Sequence, residues 1–131
     1  MIEIKVNEQI LPEQLATVFT ASGIKRPVDD IERMEQMLQH ANLLITAWDG
    51  EKLVGVARSL TDYSYCCYLS DLAVDQHVQA KGIGRALIEE TKKQIGNNVT
   101  LILRASNVAM DYYPKVGFEL VDNCYIIQKK A

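Results

Sequence analysis

Gln79-Ala80-Lys81-Gly82-Ile83-Gly84-Arg85-Ala86-Leu87 is the stretch on which the reading of this chain turns. It stands between a strand-like run and a helix-like run, and glycines at such a junction let backbone N–H groups wrap an anion at a helix N-terminus. A bare G-x-G says little, because with glycine at about 7% of average usage it occurs by chance in roughly half of chains this long. Gln79 ahead of Gly82, a strand before and a helix after make the coincidence far rarer. Two phosphate loops are excluded. The chain has no Gly-Lys-Ser/Thr for a P-loop, and Leu87 stands where a dinucleotide fingerprint needs a third small residue. What remains is either a tight turn or a two-glycine loop for a phosphate or pyrophosphate, with Lys81 and Arg85 adding positive charge.

Working outward, residues 65–74 are rich in β-formers and lead into the loop. After it, Ile83, Leu87, Ile88, Thr91 and Ile95 share one helical face, and Gly96-Asn97-Asn98 ends the pattern. Residues 99–105 are almost continuously apolar, which predicts a strand covered on both faces and parallel to the one ending at Val74. Such a crossover is right-handed, with ligands beyond the carboxyl ends of its strands. Upstream, residues 1–6 alternate as a strand. Leu11, Leu15, Val18 and Phe19 form a helical stripe with Pro12 near its start and Gly23 just past its end, and Ile31, Met34 and Leu38 form another, capped by Asp29 or Asp30. Asp49-Gly50 joins residues 43–48 and 52–60 as a hairpin. A short helix from about Val108 and strands at 118–121 and 125–129 complete the chain.

The 131 residues, 48% apolar, suit one domain over residues 1–131 with one core. A net charge of −3 gives no basic field for a polyanion, so nucleic acid is not an expected partner. Cys66, Cys67 and Cys124 lack metal-ligand spacing and read as reduced thiols, so no metal is expected. The chain begins on a strand pattern and has no run long enough to span a membrane; the expectation is a cytoplasmic protein, monomer or homodimer, without a membrane partner.

Tyr68-Leu69-Ser70-Asp71-Leu72-Ala73-Val74 followed by Gln79 to Leu87 closely resembles the acetyl-CoA-binding motif of the GCN5-related N-acetyltransferases (GNAT). Ala109, Tyr113, Lys115 and Gly117-Phe118 match that family's closing pattern, a helix ending in Tyr-x-Lys-x-Gly-Phe. The order of elements along the whole chain fits as well. The resemblance implies an α/β (α+β) fold with a mixed, mostly antiparallel sheet of about six or seven strands. Two parallel strands, ending at Val74 and starting near Val99, would splay apart, and about four helices would flank the sheet. It implies acetyl-CoA as co-substrate but is not specific for an acceptor; the leading expectation is a small-molecule primary amine, with a protein lysine or N-terminus, or a catalytically weak acyl-CoA-binding module, as alternatives.

Carried over residue by residue, backbone groups of Leu72, Ala73 and Val74 would pair with the pantetheine arm, and Gln79 would open the loop. The N–H groups of Ala80, Lys81, Gly82, Ile83, Gly84, Arg85 and Ala86 would hold the pyrophosphate. A backbone N–H near Leu72 or Ala73 would receive the acyl oxygen. Tyr113 matches the general acid, since a phenol with a pKa of about 10 is protonated at neutral pH, and Tyr112 is its neighbour and rival. Pro114 should kink or end the helix there. Ser106 stands where many members carry an asparagine that contacts the arm, and Asn107 substitutes for it, caps the helix, or does both. Asp71 is the nearest carboxylate to the acyl end and the candidate base, with a water chain as the alternative; strand alternation puts Tyr68 and Ser70 on the opposite face. Asp29, Asp30 and Glu32 either attract a cationic amine or serve the helix start.

Overall fold

A computed structural model describes residues 1–130, apart from the side chains of Gln79 and Ala80. The sheet runs β1 (Ile2–Val6), β2 (Leu43–Asp49), β3 (Lys52–Thr61), β4 (Cys66–Val74) and β5 (Thr100–Leu103), in chain order. The first four strands are antiparallel neighbours, while β5 lies parallel to β4 because α3 (Ile83–Ile95) carries the chain back over the sheet. On the α3 face, Ile83, Leu87 and Ile88 pack with Ile45, Val54 and Leu69. On the other face, α1 (Pro12–Ser22) and α2 (Ile31–His40) bring Leu15, Phe19 and Met34 against Trp48, Leu53 and Val56. Each such side chain contributes about 1.5–3 kcal/mol of burial. Asp30 is the residue that caps α2, accepting the Arg33 N–H at 3.1 Å.

The sheet has five strands and the chain three α-helices among the described residues, fewer than expected. Residues 118–130 contain no strand and are exposed beyond Phe118. Strand propensity is realised only where a ladder and an apolar face meet the segment, and β5 offers four residues of edge. β5 is also covered on one face only. Leu101 and Leu103 turn toward α3, while Thr100 and Ile102 are exposed because α1 and α2 do not reach that end of the sheet. Ile31 likewise is exposed, and Met34, Met37 and Leu38 carry the inner stripe of α2. The expected helix near Val108 is two short 3₁₀ turns, Asn107–Ala109 and Tyr113–Val116, with Pro114 in the second.

Two irregularities of β4 position everything that follows. Its ladder with β5 ends at Leu69↔Leu103, yet β4 continues to Val74 while paired to β3, so from Ser70 to Ala73 it has no partner strand on the β5 side. This is the expected splay. Opposite β3, Arg58 pairs with Asp71 and Ser59 with Leu69, which makes Ser70 the extra residue of a bulge. Alternation therefore fails here, and Ser70 and Asp71 meet the same side chain. Among the described residues no helix is long and apolar enough to cross a membrane.

Candidate active site

The splay opens into a cavity of about 1150 Å³. Its donor side is lined by Leu72, Ala73 and Val74 of β4, Gly84 of α3, and Tyr112 and Tyr113; Ser106 and Asn107 lie at the rim. Its other side is lined by the α1–α2 connection, by Arg33 and Met37 of α2, and by Arg58, Tyr68 and Ser70 from the sheet.

At the start of α3, Gly82 takes a left-handed φ of 75° and its carbonyl accepts the Ala86 N–H at 3.1 Å, the first bond of the helix. Ile83, Gly84 and Arg85 thus carry the open amide donors of the first turn, where the helix dipole favours an anion. The amide of Ala86, expected among the phosphate donors, is taken up by the helix itself. The Ile83 side chain belongs to the core, so its backbone alone can serve a ligand. Arg85 donates to Lys115 O at 3.0 Å, tying α3 to the Tyr113–Val116 turn, and Lys81 stays exposed. The side chains of Gln79 and Ala80, both expected at this loop, lie outside the described residues; their backbones form part of the 3₁₀ turn Gln76–Lys81. Gly84 marks a close approach: a Cβ there would lie 2.7 Å from Tyr112 Oη.

Tyr113 is oriented by the way its turn ends. Phe118 N–H donates to Tyr113 O (3.1 Å) and Gly117 N–H to Pro114 O (3.3 Å), the two bonds of a Schellman motif, with Gly117 at a φ of 102° that a side chain rarely adopts. The apolar contact of that motif is the edge-to-face pair of Tyr113 and Phe118, with centroids 5.5 Å apart. Tyr112 packs on the other edge of Tyr113 at 5.3 Å. Burial pushes the Tyr113 hydroxyl above its ordinary pKa, the neighbouring Tyr112 phenol adds to that through charge, and Arg26 partly opposes it. The Tyr112 hydroxyl is raised by burial too, against Arg85. Tyr113 stays protonated at neutral pH, and it lines the same cavity as Arg26. The Tyr112 hydroxyl instead points at the start of α3.

Asp71 sits between two arginines. Arg26 Nε donates to Oδ1 at 2.5 Å and Arg58 Nε to Oδ2, and the carboxylate is 0% exposed. Arg26 also donates to Ser70 O (2.9 Å), and Arg58 to Ser70 Oγ (3.1 Å) and Met37 O (3.3 Å). With both oxygens taken up by charge-assisted bonds, Asp71 holds the two arginines in place. Asp29, Asp30 and Glu32 are exposed and do not line this cavity. Sequence reading passed over Arg26, Arg33 and Arg58. Only Arg58 carried a signal, as a charge inside the apolar run 53–60. Arg26 lies 45 residues from Asp71, a separation that no local motif reports.

Comparison with known proteins gives the same architecture. The family model for the acetyltransferase (GNAT) domain matches residues 11–126. The chain belongs to the GNAT acetyltransferase family. In Arabidopsis thaliana, GCN5-related N-acetyltransferase 2, chloroplastic, is 35% identical over 81 residues, covering 54% of this chain and 30% of that protein. The chain spans about three-tenths of the length of the curated relatives it matches. The structure of a protein of unknown function from meticillin-resistant Staphylococcus aureus superposes with a TM-score of 0.82 over 98% of this chain and 100% of that one, at 23% identity. An aminoglycoside acetyltransferase from an uncultured soil sample, solved with sisomicin, gives a TM-score of 0.66 at 25% identity, over 98% of this chain and 97% of that one.

GNAT acetyltransferases use acetyl-CoA, and the donor side has the features such a ligand requires. β4 has an edge from Ser70 to Ala73 with no partner strand for an amide-bearing arm, the first turn of α3 has open amides for a pyrophosphate, and the absence of a side chain at Gly84 lets the Tyr112 hydroxyl close on that turn.

Proposed function

We propose that this GNAT acetyltransferase transfers the acetyl group of acetyl-CoA directly to a primary amine of a small molecule. One observation carries the reading: the open edge of β4, the open first turn of α3 and the Tyr113 side chain adjoin a single cavity. Acetyl-CoA supplies the activated acyl group as a thioester. Backbone groups of Leu72, Ala73 and Val74 would hold its pantetheine arm, and the amides of Ile83, Gly84 and Arg85, with Lys81 nearby, its pyrophosphate. Ser106 and Asn107 both line the cavity, and Asn107 is assigned the arm contact. An amide near Leu72 or Ala73 would stabilise the acyl oxygen. Tyr113 holds a proton at Oη for the departing sulfur. The acceptor nitrogen gains a bond to the acetyl carbon, the C–S bond breaks, and one proton passes from nitrogen to solvent while one reaches sulfur. Asp71 is assigned to positioning, and the amine proton leaves through water.

The soil aminoglycoside acetyltransferase supports a small acceptor. One observation favours a protein acceptor instead: Leu60, Tyr68 and Ile102 form an exposed apolar row across β3, β4 and β5, and Tyr68 also lines the cavity. CoA release measured with small primary amines and with lysine-bearing peptides separates the two. Turnover on a small amine is expected, and activity confined to peptides would overturn the reading. Tight acetyl-CoA binding with no turnover on either class would point to a binding module.

A further inference from the structure

The cavity carries charge of one sign. Lys25, Arg26, Arg33, Arg58, Arg104 and Lys129 line it, and none of the chain's 17 acidic side chains does, in a molecule of net charge −3. Asp71 lies beneath the lining, and its single charge answers two guanidinium groups. The two guanidinium groups on Asp71 are the sheltered ones, with the side chains of Arg58 and Arg26 9% and 28% exposed, while Lys25, Arg33, Arg104 and Lys129 stand exposed around them. Like charges gathered on one concave wall raise the local potential and favour an anion there. Arg33 stands one helical turn before Met37, whose carbonyl holds Arg58, and its guanidinium has no hydrogen bond or ion pair with the described residues. Arg104 follows Leu103, the partner of Leu69, and so comes level with Ser70 across the mouth of the splay.

We propose that the acceptor is a compact amine that also carries an oxyanion, a carboxylate or a phosphate, received by Arg33, Arg104 and the outward N–H groups of Arg26. This rests on the acetyltransferase reading above and names its substrate class. Guanidinium forks match either oxyanion in bidentate fashion. The phosphates of CoA do not account for the cluster. The loop that suits a pyrophosphate follows the far end of β4, and Ser70 lies four residues back from Val74, about 13 Å along the strand. Arg26 and Tyr113 line the same cavity, which suits an acceptor compact enough to reach both, as an amino acid is. A polyamine or a lysine-rich tail would meet repulsion at the same wall.

The test combines binding and turnover. The protein, with and without CoA, is screened by thermal shift against L-amino acids and phosphoethanolamine, each beside its counterpart lacking the anion: amino-acid amides, ethanolamine and spermidine. CoA release is then followed with the same compounds. At least one anionic amine is expected to raise Tm and to exceed its counterpart at least tenfold in kcat/KM; which arm responds separates carboxylate from phosphate. Arg33→Gln should raise the KM for that amine several-fold with kcat unchanged. Arg33→Glu should abolish the preference, and calorimetric affinity for acetyl-CoA should stay the same in both. The proposal is overturned if no anionic amine shifts Tm, if the counterparts do as well, or if Arg33→Glu weakens acetyl-CoA binding while sparing the acceptor KM. Failure of the acetyltransferase reading shows differently, as a wild-type protein that does not bind acetyl-CoA, and the thermal-shift arm still reads the anion site.

Discussion

The two sides of the cavity are built from different materials. The donor side is mostly backbone: an unpaired stretch of β4, the first amides of α3, and a tyrosine aimed by the bonds that end its own turn. The proposed acceptor side is mostly side chain: Arg26 and Arg58, from two elements, bond Asp71 and Ser70, and Arg33 of α2 lines the wall beside them. A backbone site is set by local geometry, so its residues fall at short fixed spacings. A side-chain site is set by topology and can be rewritten without disturbing the strand and helix that hold the donor. One fold can therefore keep its donor and change its acceptor.

Substitutions can break that contrast. The largest effect is expected from Tyr113→Phe, which removes the proton donor and keeps the ring packed on Phe118: kcat should fall about 10²- to 10⁴-fold with acetyl-CoA affinity unchanged. A kcat within threefold of wild type would move the acid elsewhere, with Tyr112 the first alternative. Asp71→Ala should cost about 3–5 kcal/mol in urea unfolding by leaving the Arg58 charge buried and unanswered, again with donor affinity intact once folded. If Asp71→Asn instead lowered kcat with Tm and acceptor KM unchanged, Asp71 would be a base after all.

The pH dependence sharpens the same contrast. The folded pKa of Tyr113 lies above its unfolded value of about 10. Its contribution to stability is thus complete below about pH 10 and is lost as the pH rises through the folded value. Tyr113 should produce no loss of rate below about pH 10, and Tyr113→Phe should remove part of the alkaline unfolding seen by circular dichroism. The smallest effect belongs to the β3–β4 hairpin, remote from the chemistry. Asp62 Oδ1 accepts the amides of Ser64, Tyr65 and Cys66, which lower its pKa from 3.8 to about 2. The depressed pKa adds stability above about pH 4 that fades toward pH 2. Asp62→Asn should lose that acid limb in a Tm series while kcat stays at the wild-type level.

The legible parts of the molecule were those with short-range causes. The helix from Ile83 to Ile95, the Asp49-Gly50 hairpin and the parallel β4–β5 pair follow from periodicity and turn chemistry. Residues 118–129 carry a strand pattern with no ladder to join, because pairing depends on a partner elsewhere in the fold. The bulge at Ser70 was hidden for a similar reason, since an extra residue is defined only against β3. The two arginines on Asp71 come from separations of 13 and 45 residues, which no local pattern reports.

The most direct test of the donor side is calorimetric titration of acetyl-CoA into wild type and Gly84→Glu. A side chain at Gly84 must displace Tyr112 and sets a negative charge at the first turn of α3. The account predicts saturable binding to wild type and an affinity at least tenfold weaker for Gly84→Glu, whose circular dichroism stays native. Equal affinities for the two folded proteins would contradict it.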